Sequence, residues 1–158
     1  MTARPDIPLR QIPLAGLLAM GSEAMLAEFR LDLVEAGYGD IRPTHGCIFR
    51  FLHEDGMRPT DLANLAGMTK QSIGEIVDDL AALGYVERIP DPADRRAKLI
   101  RLTAKGEQAQ SVGADLFARL EQRWADRYGA DRISDLRQML EEIAAKESPQ
   151  AVPELAIR

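Results

Sequence analysis

A cluster of cationic side chains in the stretch DPADRRAKLIRLTAKG, which begins at Asp91, is the strongest chemical signal in the sequence. From Arg88 to Lys105 there are six basic and two acidic residues, a local net charge of +4 in a chain whose formal net charge is -5. Arginines at the tip of a two-stranded turn suit the minor groove of DNA, where the negative potential is deepest. We predict that Asp94 pairs with Arg96 and directs its guanidinium group. A solvated, salt-bridged turn is the alternative.

Polar side chains from Thr69 to Ser72 form a second candidate binding group. The hydroxyl groups of Thr69 and Ser72 can donate to phosphate oxygens, and backbone N–H groups at the start of a helix favour the same ligand. Lys70 and Gln71 are long enough to reach base edges, where lysine prefers guanine and glutamine prefers adenine. Gly74, on the next turn, leaves the helix surface bare and would allow close approach to DNA. A capped first turn in solvent is the alternative.

The elements that would position these side chains are contained in PTDLANLAGMTKQSIGEIVDDLAALGYV. Ala63 provides a small residue where a second helix can cross the first, and Gly67 tolerates the positive φ that a tight turn needs. Ile73 and Ile76 recur at helical spacing and would face inward. These positions together are typical of a DNA-binding helix-turn-helix, and the charged hairpin that follows would be its wing. A plain helical hairpin inside a larger domain is the alternative.

Capping residues and hydrophobic periodicity predict the remaining elements. Thr60, Thr69 and Thr103 are the expected N-caps of three helices, and Gly84 is expected to end the second of them. YVERIP and AKLIRL have the composition of strands and would form a hairpin around a charged loop of about six residues. The predicted order is a helix over 14–35, a helix over 44–53, the helix-turn-helix over 61–65 and 69–83, the hairpin, and two C-terminal helices separated by RYGAD.

The composition of the 158 residues, 46% hydrophobic and 28% charged, is that of a folded protein. One cysteine, Cys47, excludes a disulfide within the chain, and its place among apolar helix positions predicts a buried, unreactive thiol. No run of about 18 apolar residues occurs, so we expect no membrane span and a cytoplasmic location. His45, Cys47 and His53 lack the i, i+4 spacing of a helical metal pair, so we predict neither a metal nor a cofactor.

The predicted fold is mostly α with a small β-hairpin wing, a winged helix-turn-helix with N- and C-terminal dimerisation helices. The terminal helices have apolar sides that the central region is too small to cover, so a two-fold dimer is expected. Such a dimer places its recognition helices about 34 Å apart, over an inverted repeat of about 16–20 base pairs. The expected division is a flexible N-terminal arm over 1–13, an N-terminal dimerisation helix over 14–40, the DNA-binding winged helix-turn-helix over 41–103, C-terminal dimerisation helices over 104–147 and a tail over 148–158.

The chain over residues 44–106 resembles the MarR family of bacterial transcriptional regulators, through TDLANLAGMTKQSIGEIVDDLAALGYVER and DPADRRAKLIRLTAKG. The resemblance implies a homodimer in which Arg96 enters the minor groove and Asp94 positions it there. It also implies release from DNA by oxidation or by a small anionic or phenolic effector. That effector would lie between the dimer helices and the DNA-binding region, beside the first helix, the second helix and the start of the fifth. Glu75 and Asp79 depart from the pattern, because many members have a basic residue on this helix.

The sequence therefore predicts a homodimeric, sequence-specific regulator of transcription that binds double-stranded DNA at a palindromic operator. A repressor released by a small ligand is the expected form, with the effector and its ligand-binding residues left open. A winged-helix module for protein–protein contact is the alternative, supported by Glu75 and Asp79, and no catalytic motif indicates an enzyme. The predicted DNA-binding residues are Thr69, Lys70, Gln71, Ser72, Gly74, Asp94, Arg95 and Arg96.

Overall fold

Six α-helices and one antiparallel hairpin make up residues 8–147, the part of the chain that the computed structural model describes. Their order confirms the predicted arrangement of helix, helix, helix-turn-helix, hairpin and two helices. The expected tail over 148–158 lies outside the described residues, as does the part of the expected arm before Pro8. The elements are α1 (Leu14–Glu35), α2 (Gly46–Phe51), α3 (Pro59–Ala66), α4 (Lys70–Ala82), β1 (Val86–Asp91), β2 (Asp94–Leu102), α5 (Ala104–Tyr128) and α6 (Ala130–Glu147), with short 3-10 helices at Leu9–Gln11 and Pro43–His45.

The central core consists of apolar side chains that converge from α2, α3, α4 and the hairpin. Ile73, predicted to face inward, is fully buried, whereas Ile76 is partly buried and packs at the edge of the core. Each fully buried side chain of this kind contributes about 1.5–3 kcal/mol, and together they fix α4 against α3. The fully buried members include Ile48, Leu62, Ile73, Val77, Leu80 and Ile100.

The predicted helix ends are confirmed at four positions. Gly67, directly after α3, has a φ of 62°, and Gly84, two residues after α4, has a φ of 80°. The side-chain oxygens of Thr69 and Thr103 each accept a backbone N–H from three residues further on, at 3.1 and 3.2 Å. These residues act on their immediate neighbours, so their roles follow from the local sequence.

The expected N-cap at Thr60 is wrong. α3 begins at Pro59, and Arg58 occupies the N-cap position without a side-chain cap bond. Proline suits the first helical position because its fixed φ is already helical and it needs no hydrogen-bond acceptor there. The helix predicted over 44–53 is also shorter, since a 3-10 turn precedes α2 and the chain is already extended at Leu52.

The wing has a longer second strand and a shorter loop than predicted, since β2 begins at Asp94, three residues before the predicted strand AKLIRL. Pro92 and Ala93 alone connect β1 to β2, in place of the expected loop of about six residues. The carboxylate of Asp91 accepts the backbone N–H of Ala93 at 2.8 Å. This Asx turn closes the hairpin early, so that the charged residues after it belong to a strand rather than to a loop.

The terminal helices form a separate layer in which α5 packs against both α1 and α6. The rings of Phe29 and Phe117 stack with centroids 3.8 Å apart, and the indole N–H of Trp124 donates to Glu28 at 3.2 Å. Phe117 and Trp124 of α5 therefore pack against α1. Among the helices of residues 8–147, none is sufficiently long and apolar to cross a membrane.

Large apolar side chains of α1 and α6 remain exposed in the single chain. On each of these two helices they form a series of exposed apolar side chains rather than isolated ones. The exposed members are Leu14, Leu17, Leu18, Met20, Leu26, Leu31 and Val34 on α1, and Leu136, Met139, Leu140 and Ile143 on α6.

Candidate nucleic-acid interface

The N-terminal end of α4 presents the four consecutive polar side chains singled out in the sequence. Thr69 caps the helix through its bond from the backbone N–H of Ser72, and the two hydroxyl oxygens lie 2.8 Å apart. Lys70 and Gln71 are exposed on the first turn, and the amide of Gln71 donates to Glu75 at 3.2 Å. The first turn of α4 thus has two hydroxyl groups in contact with each other, beside the long and exposed side chains of Lys70 and Gln71, which can donate hydrogen bonds.

Gly74 lies on the same side of α4 as Lys70 and Gln71, because residues three and four apart share a helix face. A β-carbon added at Gly74 would have no neighbouring atom within 4 Å. The bare surface at this position is therefore open on the outside of the protein, and packing of the fold does not require glycine there.

A bulge in β2 displays the backbone of the two adjacent arginines of the wing. Asp94 pairs with Asp91, and the next ladder pair is Lys98 with Pro90. Residues 95–97 thus have no partner residue on β1, and Arg95 and Arg96 lie in this excess. A bulge of this kind bends a strand away from its ladder and turns its side chains in new directions.

Asp94 contacts Arg96 in a different way from the one predicted. Its carboxylate accepts the backbone N–H of Arg96 at 3.0 Å. Within residues 8–147 no ion pair joins Asp94 to the Arg96 guanidinium, which is exposed. A short carboxylate two residues before an N–H forms such a backbone bond readily, and here it holds the bulge instead of the arginine side chain.

Three of the six basic residues of the wing segment are already neutralised within the protein. All three lie near the base of the wing, where β1 and β2 meet α4 and α5. The pairs are Arg88 with Asp78 at 2.6 Å, Arg101 with Glu87 at 2.6 Å, and Lys105 with Asp40 at 3.7 Å.

The tip of the wing keeps its positive charge. Arg96 and Lys98 are exposed and take part in no ion pair within the described residues. The excess of charge that the sequence places on the whole hairpin is therefore concentrated in the structure on its outer half. An exposed cation without an acidic partner is available to a phosphate.

A buried carboxylate, Asp91, fastens the wing to the start of α3. Its side chain is 6% exposed and receives Nε and Nη2 of Arg58 at 2.7 and 2.5 Å. The backbone N–H of Ala93 and then the Arg58 guanidinium lower the pKa of Asp91. No local signal in the sequence indicates this link, because the two residues are 33 positions apart.

The carboxylate of Asp79 points at the segment before α2, not at the exposed face of α4. It forms an ion pair with Arg42 and contacts Nε2 of His45 at 2.9 Å. His45 is fully buried, and its Nδ1 accepts the backbone N–H of Arg42 at 3.1 Å. Asp79 is therefore engaged inside the protein, whereas Glu75 remains on the outer face with Gln71.

The thiol of Cys47 is half-buried, less than predicted, and donates to the carbonyl oxygen of Thr44 at 3.2 Å. Burial raises the pKa of Cys47, which disfavours the reactive thiolate. In residues 8–147 no group of three or more His, Cys, Asp or Glu side chains is placed to hold a metal ion.

An open cleft of about 360 Å³ lies between the end of α1 and the middle of α5. It is further along α5 than the effector position implied by the resemblance. The Arg123 guanidinium at its wall is held by Asp32 at 2.5 Å, while Arg119 forms no ion pair within the described residues. The lining residues are Asp32, Glu35, Ala36, Leu116, Arg119 and Arg123.

Comparison with known proteins agrees with this geometry. The MarR family model matches residues 40–97, which run from the segment before α2 to the bulge of the wing. The multiple antibiotic resistance protein MarR of Escherichia coli is 31% identical over 90 residues, 54% of this chain. That alignment spans 60% of the relative's length. The HTH-type transcriptional regulator FarR of Neisseria gonorrhoeae is 29% identical over 129 residues, 80% of this chain and 86% of FarR.

Solved structures show the same architecture. The reduced form of MarR from E. coli has a TM-score of 0.72 at 23% identity, over 84% of this chain and 96% of that chain. The transcriptional repressor CouR, solved with a 23-mer DNA duplex, has a TM-score of 0.68 at 24% identity, over 84% of this chain and 92% of CouR. Residues 40–97, which contain the helix-turn-helix and the start of the second wing strand, match the MarR family model, and over 84% of its length the chain has the fold of a solved MarR structure.

Proposed function

We propose that this protein is a homodimeric transcriptional regulator that binds double-stranded DNA in a sequence-specific way. The observation that carries the proposal is the presence of exposed cations, unpaired within residues 8–147, both on the first turn of α4 and at the tip of the wing, in a segment that matches the MarR family model. The names of the relatives support it, since FarR is an HTH-type transcriptional regulator and CouR is a repressor solved with DNA.

The first turn of α4 would enter the major groove. Lys70 and Gln71 would contact base edges, and Thr69 and Ser72 would contact phosphates. The open surface at Gly74 would let the helix backbone approach the groove wall. These four side chains would therefore divide into base contacts, which specify the sequence, and phosphate contacts, which set the register.

The tip of the wing would lie in the adjacent minor groove. Arg95 and Arg96 would follow the negative potential there, and the Asp94 carboxylate would hold the backbone of the bulge that displays them. Because the basic residues at the base of the wing are paired with acidic ones, the tip would supply most of its attraction for DNA.

A two-fold dimer would cover the exposed apolar faces of α1 and α6. It would place two copies of α4 about 34 Å apart and thus select an inverted repeat. Occupation of such an operator would repress transcription from an overlapping promoter. The protein would act in the cytoplasm, with a small anionic or phenolic effector as the ligand that releases it.

The protein–protein alternative is weakened by the position of Asp79. That alternative drew its support from two acidic residues on α4, and Asp79 is engaged with Arg42 and His45. Only Glu75 of the two remains on the outer face of α4. The third acidic residue of α4, Asp78, is paired with Arg88 at 2.6 Å, and Glu75 beside the exposed Lys70 does not by itself make this helix an anionic docking surface.

Selection of bound duplexes from a random DNA pool, at two salt concentrations, tests the proposal. The wild type should recover a palindromic motif, and its affinity should fall steeply with salt. Arg96→Ala should lose about 1–3 kcal/mol of binding free energy while remaining a dimer. Arg101→Ala is the matched control, because this arginine is already paired with Glu87. A folded dimer that selects no motif at low salt would contradict the proposed function.

A further inference from the structure

The Asp79 carboxylate of α4, whose charge would oppose DNA, contacts Arg42 and the buried ring of His45, although its side chain is 36% exposed. We propose that Asp79 is a positioning residue that fixes the orientation of α4 on the segment leading out of α1. The inference deepens the proposed DNA-binding function and rests on it.

The bonds at Asp79 are directional and mutually consistent. Nδ1 of His45 accepts the backbone N–H of Arg42, so the proton of the neutral ring is on Nε2. Nε2 then donates to Asp79 at 2.9 Å, and the Arg42 guanidinium approaches the same carboxylate oxygen. One carboxylate oxygen thereby joins two donors from the segment before α2 to the middle of α4.

The same segment makes a second contact just beyond the end of α4. The hydroxyl group of Tyr85 donates to Asp40 at 2.7 Å, and Tyr85 is almost fully buried. Lys105 donates to the carbonyl oxygen of Leu83 at 2.8 Å and lies over the Tyr85 ring at 4.0 Å. Residues 40–45 therefore hold α4 at two points, in its second half and past its C-terminal end.

The core packing holds α4 in place, but hydrophobic contacts are not directional, so the bonds at Asp79 add a directional constraint on the tilt of α4. Along the helix axis Lys70 lies about 13 Å from Asp79, so a tilt of about 10° at Asp79 moves the base-contacting end by about 2 Å. Hydrogen bonds to base edges tolerate only a few tenths of an ångström. The bonds at Asp79 are thus placed where small changes have large effects on DNA contact.

Asp79→Asn, compared with Glu75→Gln, separates positioning from charge repulsion. Both variants remove one negative charge from α4, and only the first loosens an internal contact. We expect Asp79→Asn to weaken binding to the selected operator about tenfold, the effect of losing one charge-assisted bond. Glu75→Gln should strengthen binding about two- to threefold. If both variants bind more tightly than the wild type, Asp79 acts only by repulsion and the proposal is wrong.

A purely structural role for Asp79 predicts a different pattern. It would lower the thermal midpoint but leave the base preference of the folded protein unchanged. A positioning role broadens the base preference at the operator positions facing Lys70 and Gln71, at a temperature where the variant is fully folded. Repeating the duplex selection with Asp79→Asn measures this, and an unchanged motif with unchanged affinity overturns the proposal.

Arg42→Ala is a second test variant that alters no buried side chain, since the Arg42 side chain is 62% exposed. It should weaken DNA binding about threefold in the wild type and have no effect in Asp79→Asn, because residues of one network are not additive. Losses that add in the double variant would contradict the proposal. A wild type that binds no duplex would instead overturn the proposed function, so the two failures are distinguishable.

Discussion

The winged region and the terminal helices distribute their side chains in opposite ways. In the winged region the apolar side chains are buried, and the wing-tip cations Arg96 and Lys98 form no ion pair within residues 8–147. In the terminal helices several cations are paired, as in Arg123 with Asp32 at 2.5 Å, while apolar side chains such as Leu140 remain exposed. The winged region exposes cations, which the phosphates of its proposed DNA partner would neutralise. The terminal helices expose apolar side chains, which the apolar surface of a proposed second copy would cover.

The difference shows that net charge says little about where a protein meets DNA. The chain carries a formal net charge of -5, yet the outer half of one hairpin presents two exposed cations, Arg96 and Lys98, that form no ion pair within residues 8–147. Acidic residues such as Asp78 and Glu87 neutralise the arginines at the base of the wing. Charge pairing inside the fold, more than composition, decides which arginines are available.

The largest effect is expected from a charge placed on the exposed apolar face of α6. Leu140→Glu should convert the dimer to a monomer without unfolding it, because this side chain is 42% exposed in the single chain. Loss of the second DNA-binding site should reduce operator affinity by a factor of about 100 or more. Light scattering after size exclusion, with duplex titration on the same sample, measures both.

Gln138→Glu is the matched control, since it adds the same charge two positions away on α6. The Gln138 amide contacts Glu142 one turn further on, outside the row of apolar residues. This variant should remain a dimer. If both variants dissociate equally, or if neither does, the exposed face of α6 is not the dimer surface.

A smaller but still large effect is expected at the junction of the two regions. A β-carbon on Gly106 would overlap the carbonyl oxygen of Tyr85 and lie 3.1 Å from Leu102. Gly106→Ala should therefore destabilise the fold by about 3 kcal/mol, although alanine favours a helix. Gly113→Ala, in the same helix with only Phe29 nearby at 3.8 Å, should stabilise it by about 0.5–1 kcal/mol. If Gly106 of α5 lies against the Tyr85 carbonyl oxygen, the urea midpoints of the two variants should shift in opposite directions from that of the wild type.

Gly74→Ala should separate stability from DNA binding. No protein atom opposes the added methyl group, so the helix should gain about 0.5–1 kcal/mol. Against DNA the same methyl group would crowd the groove and weaken binding by about 1–2 kcal/mol. A raised unfolding midpoint with weaker operator binding would place Gly74 at the interface. Unchanged affinity would remove it from the proposed contact set.

The sequence predicted well those features that depend on neighbouring residues. Gly67 and Thr69 act within one helical turn, and the structure confirms both. Two errors, the N-cap expected at Thr60 and the wing loop that the Asp91 turn shortens, are local choices between neighbouring residues. The contacts that the sequence did not indicate depend on distant partners, as in Asp91 with Arg58 and Asp79 with His45, 34 residues earlier. Periodicity places a residue on a helix, but a contact across such a separation exists only once the core has brought the elements together.

The smallest effect concerns pH and the ring of His45, which lies in the winged region between the segment before α2 and α4. Burial and then the charge of Arg42 lower the pKa of His45, while Asp40 opposes this shift and Asp79 contacts the ring. The unfolded chain therefore takes up a proton that the folded chain resists. Stability should be full above about pH 6.5, the ordinary value for histidine, and should fall as the pH is lowered through the folded pKa.

Urea unfolding between about pH 7.5 and pH 5 measures this dependence, with His45→Gln as the comparison. The variant should be less stable at neutral pH, because a fully buried ring and its bonds are lost. Its stability should nevertheless change less with pH, since the titrating group is gone. Equal slopes for the two proteins would mean that His45 does not titrate in this window. The neutral imidazole would then hold Asp79 across the whole range, and the orientation of α4 would be insensitive to acid.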